Sequence, residues 1–275
     1  MAKYILEENP NFFVNHLIRN YFLSRRIFAT FFSPNMLAGY LIIIIPATIG
    51  YASEFMFGKR TITNITLGVL FLALILTKSL GAILGLVISL LLYFVILNYK
   101  KKEFSKNFWA GIIISLIMVS IIITPIIASR YDRIFNFHNP HNSIVQRINF
   151  IRLALKIIKE HPLSGVGMGN FGDSYMRLRG TRDIRTNYAH NFILQTQAEI
   201  GILGSMGLIL LILAFIRDVS SCMKDPKQKY VFLKAGLLCS GVSFLLHNLI
   251  DISFFIPEVA VFFWISWAGF KNLTE

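Results

Sequence analysis

In 275 residues, 55% are apolar and only 15% are charged, and the mean hydropathy is +0.61. A soluble domain of this size cannot bury that much apolar side chain, so the chain is expected in lipid. The formal net charge of +13 gathers in a few places, and what it faces there decides the partner it asks for.

Apolar runs long enough to cross a hydrocarbon core of about 30 Å recur along the sequence with polar breaks between them. They do not alternate as barrel strands would, and in lipid an uninterrupted run satisfies its backbone only as a helix. The fold class expected is therefore an all-α polytopic membrane protein. About seven spans are predicted, at 36–55, 61–78, 80–97, 108–128, 193–216, 230–249 and 254–270, within a single membrane domain over 1–275. Lys59 and Arg60, Lys100 to Lys102 with Lys106, Arg217 with Lys224, Lys227 and Lys229, and Lys271 fill every second connection. The positive-inside rule makes those cytoplasmic, which turns residues 129–190 outward together with the N-terminus.

The N-terminal stretch has no cleavable signal pattern, because Glu7 and Glu8 follow Lys3 and no small-residue site follows an apolar run. An outside N-terminus without a signal implies earlier spans, contributed by an upstream membrane segment or a partner subunit. Cys222 and Cys239 offer neither a disulfide framework nor metal-ligand spacing, so no metal and no cofactor is expected.

The outer loop carries ten basic residues against four acidic ones, a net of +6. Long translocated loops escape the positive-inside rule, so the basicity asks instead for an anionic partner. Outside the cell that partner is a lipid head group or a phosphorylated substrate, and no nucleic acid. Within the loop, SIVQRINFIRLALKIIKE has helical periodicity and Pro162 stops it. At 100° per residue Arg152, Lys156 and Lys159 share one edge, as expected of a helix on an anionic lipid surface.

Arg147 falls about 150° from that edge, with Ile151, Ala154 and Ile158 around it. A guanidinium there needs an anion, either a carboxylate such as Glu199 or Asp173 or a bound phosphate that its planar fork fits. The alternating Gly165, Gly167 and Gly169 lack the strand–turn–helix context of a phosphate loop and read as a tight turn.

His190 opens the next apolar run. It is either a general base, with its pKa depressed by neighbouring arginines, or an interfacial hydrogen bonder. Glu199 needs a partner, Gly201, Gly204, Ser205 and Gly207 form a small-residue packing face, and His247 and Asp251 at i and i+4 are placed to bond on one helix face.

Four stretches resemble the O-antigen ligase and polymerase-like membrane glycosyltransferases. They are RIFATFFSPNMLAGYL with Arg26 and Asn35, the inter-span turn TKSLGAILGL, HPLSGVGMGNF, and HNFILQTQAEIGILG, where His190 and Asn191 precede Glu199, Gly201 and Gly204. The likeness runs from about Arg26 through HNLIDISFF, with Leu80 standing where many members have a basic residue and with several front spans lacking. It implies a C-type glycosyltransferase architecture in a bacterial plasma membrane with the site facing outward. It further implies metal-independent transfer from a polyisoprenoid (undecaprenyl) diphosphate-linked glycan to an acceptor on a glycan, lipid or protein. Arg26 and Arg147 would hold the diphosphate and His190 would deprotonate the acceptor. A transporter would instead show broken helices, ionisable groups at mid-membrane and internal repeats, and no repeat is seen. A membrane scaffold is the third class.

Overall fold

The computed structural model describes residues 26–56, 60–98, 120–121, 123–138, 142–180, 185–224 and 229–273. Residues 108–119 of the expected fourth span, the Lys100–Lys102 connection, Lys106, Arg182 and the start of the N-terminal stretch lie outside them. Among the described residues there are nine defined α-helices and no strand. These are α1 Pro34–Phe55, α2 Arg60–Thr77, α3 Leu80–Asn98, α4 Tyr131–Phe135, α5 Ser143–Glu160, α6 Phe171–Leu178, α7 Phe192–Lys224, α8 Val231–Asn248 and α9 Pro257–Asn272. Four of them, α1, α3, α8 and the stretch Phe192–Cys222 of α7, are long and apolar enough to cross a membrane, and Thr61–Thr77 is a shorter apolar helix. The chain is thus a multi-pass helical membrane protein.

Two compact units emerge. The first comprises Met1–Leu97, Lys227–Phe244 and Ile256–Glu275; the second comprises Asn98–Pro226 and Leu245–Phe255. In the first unit α1 packs on α2 and α9. Ser33 caps α1 by accepting from the Met36 amide, with Pro34 in the first turn, where a missing N–H costs nothing. Pro46 lies inside α1 and cannot donate to the Ile42 carbonyl four residues back. The Ser243 hydroxyl of α8 donates to that carbonyl at 2.7 Å, and Ser240 donates to the Ile43 carbonyl at 2.6 Å. The two helices come this close because Gly50 and Gly236 meet: a Cβ on Gly236 would lie 2.5 Å from the Pro46 carbonyl oxygen. Small residues and hydroxyls glue helices where lipid gives no hydrophobic drive. On α2 the side chains of Ile62, Ile65, Val69, Leu72 and Leu76 are exposed at spacings of three and four, the stripe a lipid-facing helix shows.

In the second unit α7 packs on α5 and α6. Their shared core holds Phe150, Leu153, Ala154, Ile157, Phe171, Tyr175, Ala189 and Ala198. Helix α7 is not one rod but breaks at Gly201, whose φ of 65° and ψ of −161° are non-helical. Beyond the break, from Ile202 to Ile216, large aliphatic side chains are exposed. Before it lies the polar, mostly buried run from Gln195 to Ala198.

Candidate functional site

The second unit brings Arg147, His190, Asn191, Asp251 and His247 into one neighbourhood, and the local sequence shows how each is held. Asn191 caps α7: its Oδ1 accepts from the Ile193 and Leu194 amides, and its Nδ2 donates to the Leu249 carbonyl at 3.0 Å. From α5, Arg147 Nε donates to the Ile250 carbonyl at 3.2 Å and Nη1 to Ser143 at 3.3 Å. Residues Leu249 and Ile250 are therefore pinned from two helices, which fixes Asp251 directly after them.

Asp251 is buried, and the Ser253 hydroxyl donates to its Oδ2 at 2.6 Å. His247 Nε2 approaches the same oxygen at 3.2 Å, yet the ring is turned so that neither nitrogen makes a directed hydrogen bond among the described residues. Helix α8 ends at Asn248, so the expectation that His247 and Asp251 share a helix face is corrected: they meet across a turn. Burial alone would raise the Asp251 carboxyl, but the charge and contact of His247, the Ser253 hydroxyl and His190 together hold it well below the usual carboxylate range.

His190 sits immediately before the cap with φ of 52°, a left-handed backbone that costs a histidine energy and survives only where the surroundings fix it. Gln195 supplies part of that fixing by accepting from the Ala189 amide at 2.6 Å while donating to Glu199 at 2.8 Å. The His190 ring stacks on Phe150 with centroids 5.0 Å apart. Burial lowers its pKa to about 4, Asp251 pulls it back up, and Arg147 adds a smaller push downward. Desolvation against Phe150, more than the arginine neighbourhood expected from sequence, keeps this imidazole neutral.

Arg147 is lowered by burial and raised by Asp251. No ion pair joins it to Glu199 or Asp173 among the described residues. Its two bonds leave the Nη2 edge of the fork without a protein partner there.

Glu199 takes another part. Its Oε1 accepts from Gln195 and, at 3.4 Å, from the Phe171 amide at the start of α6. Around it the alternating-glycine segment fills the break in α7. The Val166 amide donates to the Ala198 carbonyl at 2.9 Å, Gly167 to the Glu199 carbonyl at 2.8 Å, and the Ile202 amide donates to Pro162 and Leu163. Gly165 lies against the Glu199 backbone with φ of +68°, leaving no room for a Cβ. The segment is the tight turn expected, with positive φ at Gly165, Gly167 and Gly169, and its amides also staple the broken helix. The small-residue face expected at Gly201, Gly204 and Gly207 is corrected at Gly201, which is the break; Gly204 lies under Ile200 of its own helix, and among the described residues nothing lies within 4 Å of a Cβ on Gly207.

In the first unit Arg26 donates from Nε to the Thr77 carbonyl at 2.7 Å and from Nη2 to Asn35 Oδ1 at 2.8 Å. Two of the sequence stretches thus meet at Arg26, and the other two meet at Glu199 and the break after it; HNLID meets the start of α7 at Asn191. Sequence reasoning missed Asn142, whose Oδ1 caps α5 and whose Nδ2 holds the Ile134 and Asn136 carbonyls. It also missed Gln195. An Asn just before a helical run was the available signal for the first.

No curated protein matches the chain. The profile of a family described as O-antigen ligase matches residues 65–209, more than half of the sequence and inclusive of Arg147, His190 and Glu199. The chain therefore belongs to the O-antigen ligase family.

Proposed function

We propose that the chain transfers a glycan from a polyisoprenoid diphosphate carrier to an acceptor hydroxyl on the outward face of a bacterial plasma membrane, without a metal. The observation that carries this reading is a neutral His190 held beside a partly uncommitted Arg147. The acceptor oxygen attacks the anomeric carbon as its proton passes to His190, and the bond from that carbon to the carrier diphosphate breaks. The leaving diphosphate gathers negative charge, which the open edge of Arg147 meets with parallel charge-assisted hydrogen bonds. Asp251 favours the imidazolium that forms on His190, as its upward pull on that group requires. A separate cleft of about 370 Å³ in the same unit, lined by His161, Asn170, Asp173 and Arg177 and by none of Arg147, His190 and Asp251, mixes donors with acceptors.

The broken α7 is a feature a transporter would share. Its freed amide and carbonyls are taken by Pro162, Leu163, Val166 and Gly167, so the break presents no open coordination shell, and this speaks for the transferase.

The test is transfer by the purified chain in nanodiscs from an undecaprenyl diphosphate-linked glycan, with complementation of a deletion strain read as a glycan profile. Turnover that survives His190→Ala would end the reading. Alkaline phosphatase fused at position 175 should be active and at position 101 inactive; the reverse would end the outward assignment.

A further inference from the structure

Helix α5 has two apolar faces, and only one of them is used by the fold. Phe150, Leu153, Ala154 and Ile157 are buried against α6 and α7. On another side, Ile144, Ile148, Ile151 and Leu155 are 40%, 57%, 38% and 52% exposed. Their spacings of four, three and four place them within about 60° of one another around the helix. Arg152, Lys156 and Lys159, all exposed, border that stripe on one side. The stripe repeats the pattern by which α2 exposes Ile62, Ile65, Val69, Leu72 and Leu76. Yet α5, with Arg147, Arg152, Lys156, Lys159 and Glu160 in 18 residues, is too polar to span a bilayer. Just past its end Leu163 and Met168 are 73% and 79% exposed, which extends the apolar surface into the segment that staples α7.

A bare aliphatic stripe of this kind in a protein already anchored in lipid calls for a cover. Its chemistry fits one occupant: acyl chains under the stripe, and anionic head groups against the flanking cations. We propose that α5 lies in the plane of the membrane as an interfacial anchor, its Ile144–Leu155 stripe immersed and its basic edge on anionic lipid. The structural consequence concerns depth. Phe150 of the same helix carries the His190 ring and Arg147 reaches Ile250 beside Asp251, so seating α5 sets the height of that cluster at the head-group level. There a lipid-borne diphosphate reaches it without leaving the leaflet. The anchor itself does not depend on what reaction the cluster performs.

The experiment reads immersion and not turnover. The full chain, with both native cysteines changed to Ser, carries an environment-sensitive NBD fluorophore through Ile148→Cys, through Ile151→Cys as a second reporter, or through Glu160→Cys on the far side. Nanodiscs contain phosphatidylcholine alone or with phosphatidylglycerol at a 7:3 ratio, doped with lipid carrying a doxyl quencher at carbon 5. Blue-shifted emission and several-fold stronger quenching at 148 and 151 than at 160, strengthened by phosphatidylglycerol and weakened by Lys156→Gln with Lys159→Gln, are the expected results. Equal quenching at all three positions overturns the anchor. Quenching indifferent to phosphatidylglycerol overturns the anionic contact. Shielding at 148 without lipid quenching, accompanied by spin–spin coupling between copies carrying a nitroxide in place of NBD at Ile148→Cys, assigns the stripe to a second copy and overturns the proposal.

Discussion

Arg26 and Arg147 are held in the same way and surrounded differently. Each gives its Nε–H to a backbone carbonyl at the end of a helix or just past it, Thr77 for Arg26 and Ile250 for Arg147. Each thereby ties an inter-helix turn to a separate element. Arg26 then finds a neutral amide in Asn35, whereas Arg147 stands in the field of a buried carboxylate and a neutral imidazole. A guanidinium that ties and a guanidinium that also polarises cannot be told apart by the residue type. Arg147 is marked out by the titratable groups that share its site, Asp251 and His190.

The largest effect that would sharpen this comparison belongs to His190. His190→Ala should lower transfer by about 10²- to 10⁴-fold, the range for loss of a positioned general base. Thermal unfolding should change little, because the ring stacks on Phe150 without a hydrogen bond that carries the fold. Arg147→Lys should follow with about a 10- to 100-fold loss, one charge-assisted hydrogen bond's worth, because lysine keeps the charge and loses the fork. Arg26→Lys should instead lower Tm and leave the donor KM near the parent value. A rise in donor KM at constant Tm would break the comparison by placing Arg26 on the carrier, as the family resemblance implies.

The pH profile comes next. Because His190 is depressed to about 4, the base is unprotonated throughout the neutral range, and activity is lost only as pH falls through that value. An unperturbed histidine would put the acid limb near 6.5. Asp251→Asn removes the charge that raises His190 and should move the limb further to the acid side. Arg147→Gln removes a charge that lowers it and should move the limb the other way. A limb near 6.5 in the parent protein would show the imidazole in water rather than packed on Phe150.

The places where sequence and structure agree or part follow the range of the interaction. Hydropathy located α1, α3 and α8 to within a few residues, because lipid filters a whole helix by composition. The pattern of 3.6 gave α5 and its basic edge. It did not show that α5 has two apolar faces, since a wheel records what a side chain is and not what covers it. The break in α7 is hidden where a polar helical start runs directly into an apolar stretch at Gly201, and the residues that satisfy it come from 162–167. The spacing of His247 and Asp251 fits one helix face, but a spacing of four is ambiguous at a helix end, and α8 stops at Asn248. Gln195 gave no signal, for its role depends on the amide of Ala189 and the carboxylate of Glu199 at once.

Two pairs of substitutions probe these readings at smaller amplitude. Gly201→Ala should destabilise by more than about 1 kcal/mol, because its positive φ and the Leu163 backbone leave no place for a methyl group. Gly207→Ala, in open space within a regular helix, should be neutral or stabilise by up to about 1 kcal/mol. Equal effects at the two positions, followed by thermal unfolding in detergent, would mean that the break is not held by its staple.

The smallest expected effect is the most specific. In α1 the Ile42 carbonyl loses its helical donor to Pro46, and the Ser243 hydroxyl stands 2.7 Å away. That hydroxyl has one proton and a second acceptor, the Ser240 carbonyl of its own helix at 2.9 Å, so it can leave Ile42 only by turning back on itself. Ser243→Ala should then cost about 0.5–2 kcal/mol, within the range for hydrogen bonds between membrane helices. If the cost arises from the orphaned carbonyl, it depends on the proline. Pro46→Ala restores an N–H to Ile42, and in that background Ser243→Ala should cost little. The four proteins of this cycle, compared by reversible unfolding in mixed micelles, isolate the pair from whatever each residue does alone. Additive effects would show that Ser243 serves close packing at the Gly50–Gly236 crossing and not the carbonyl freed by Pro46.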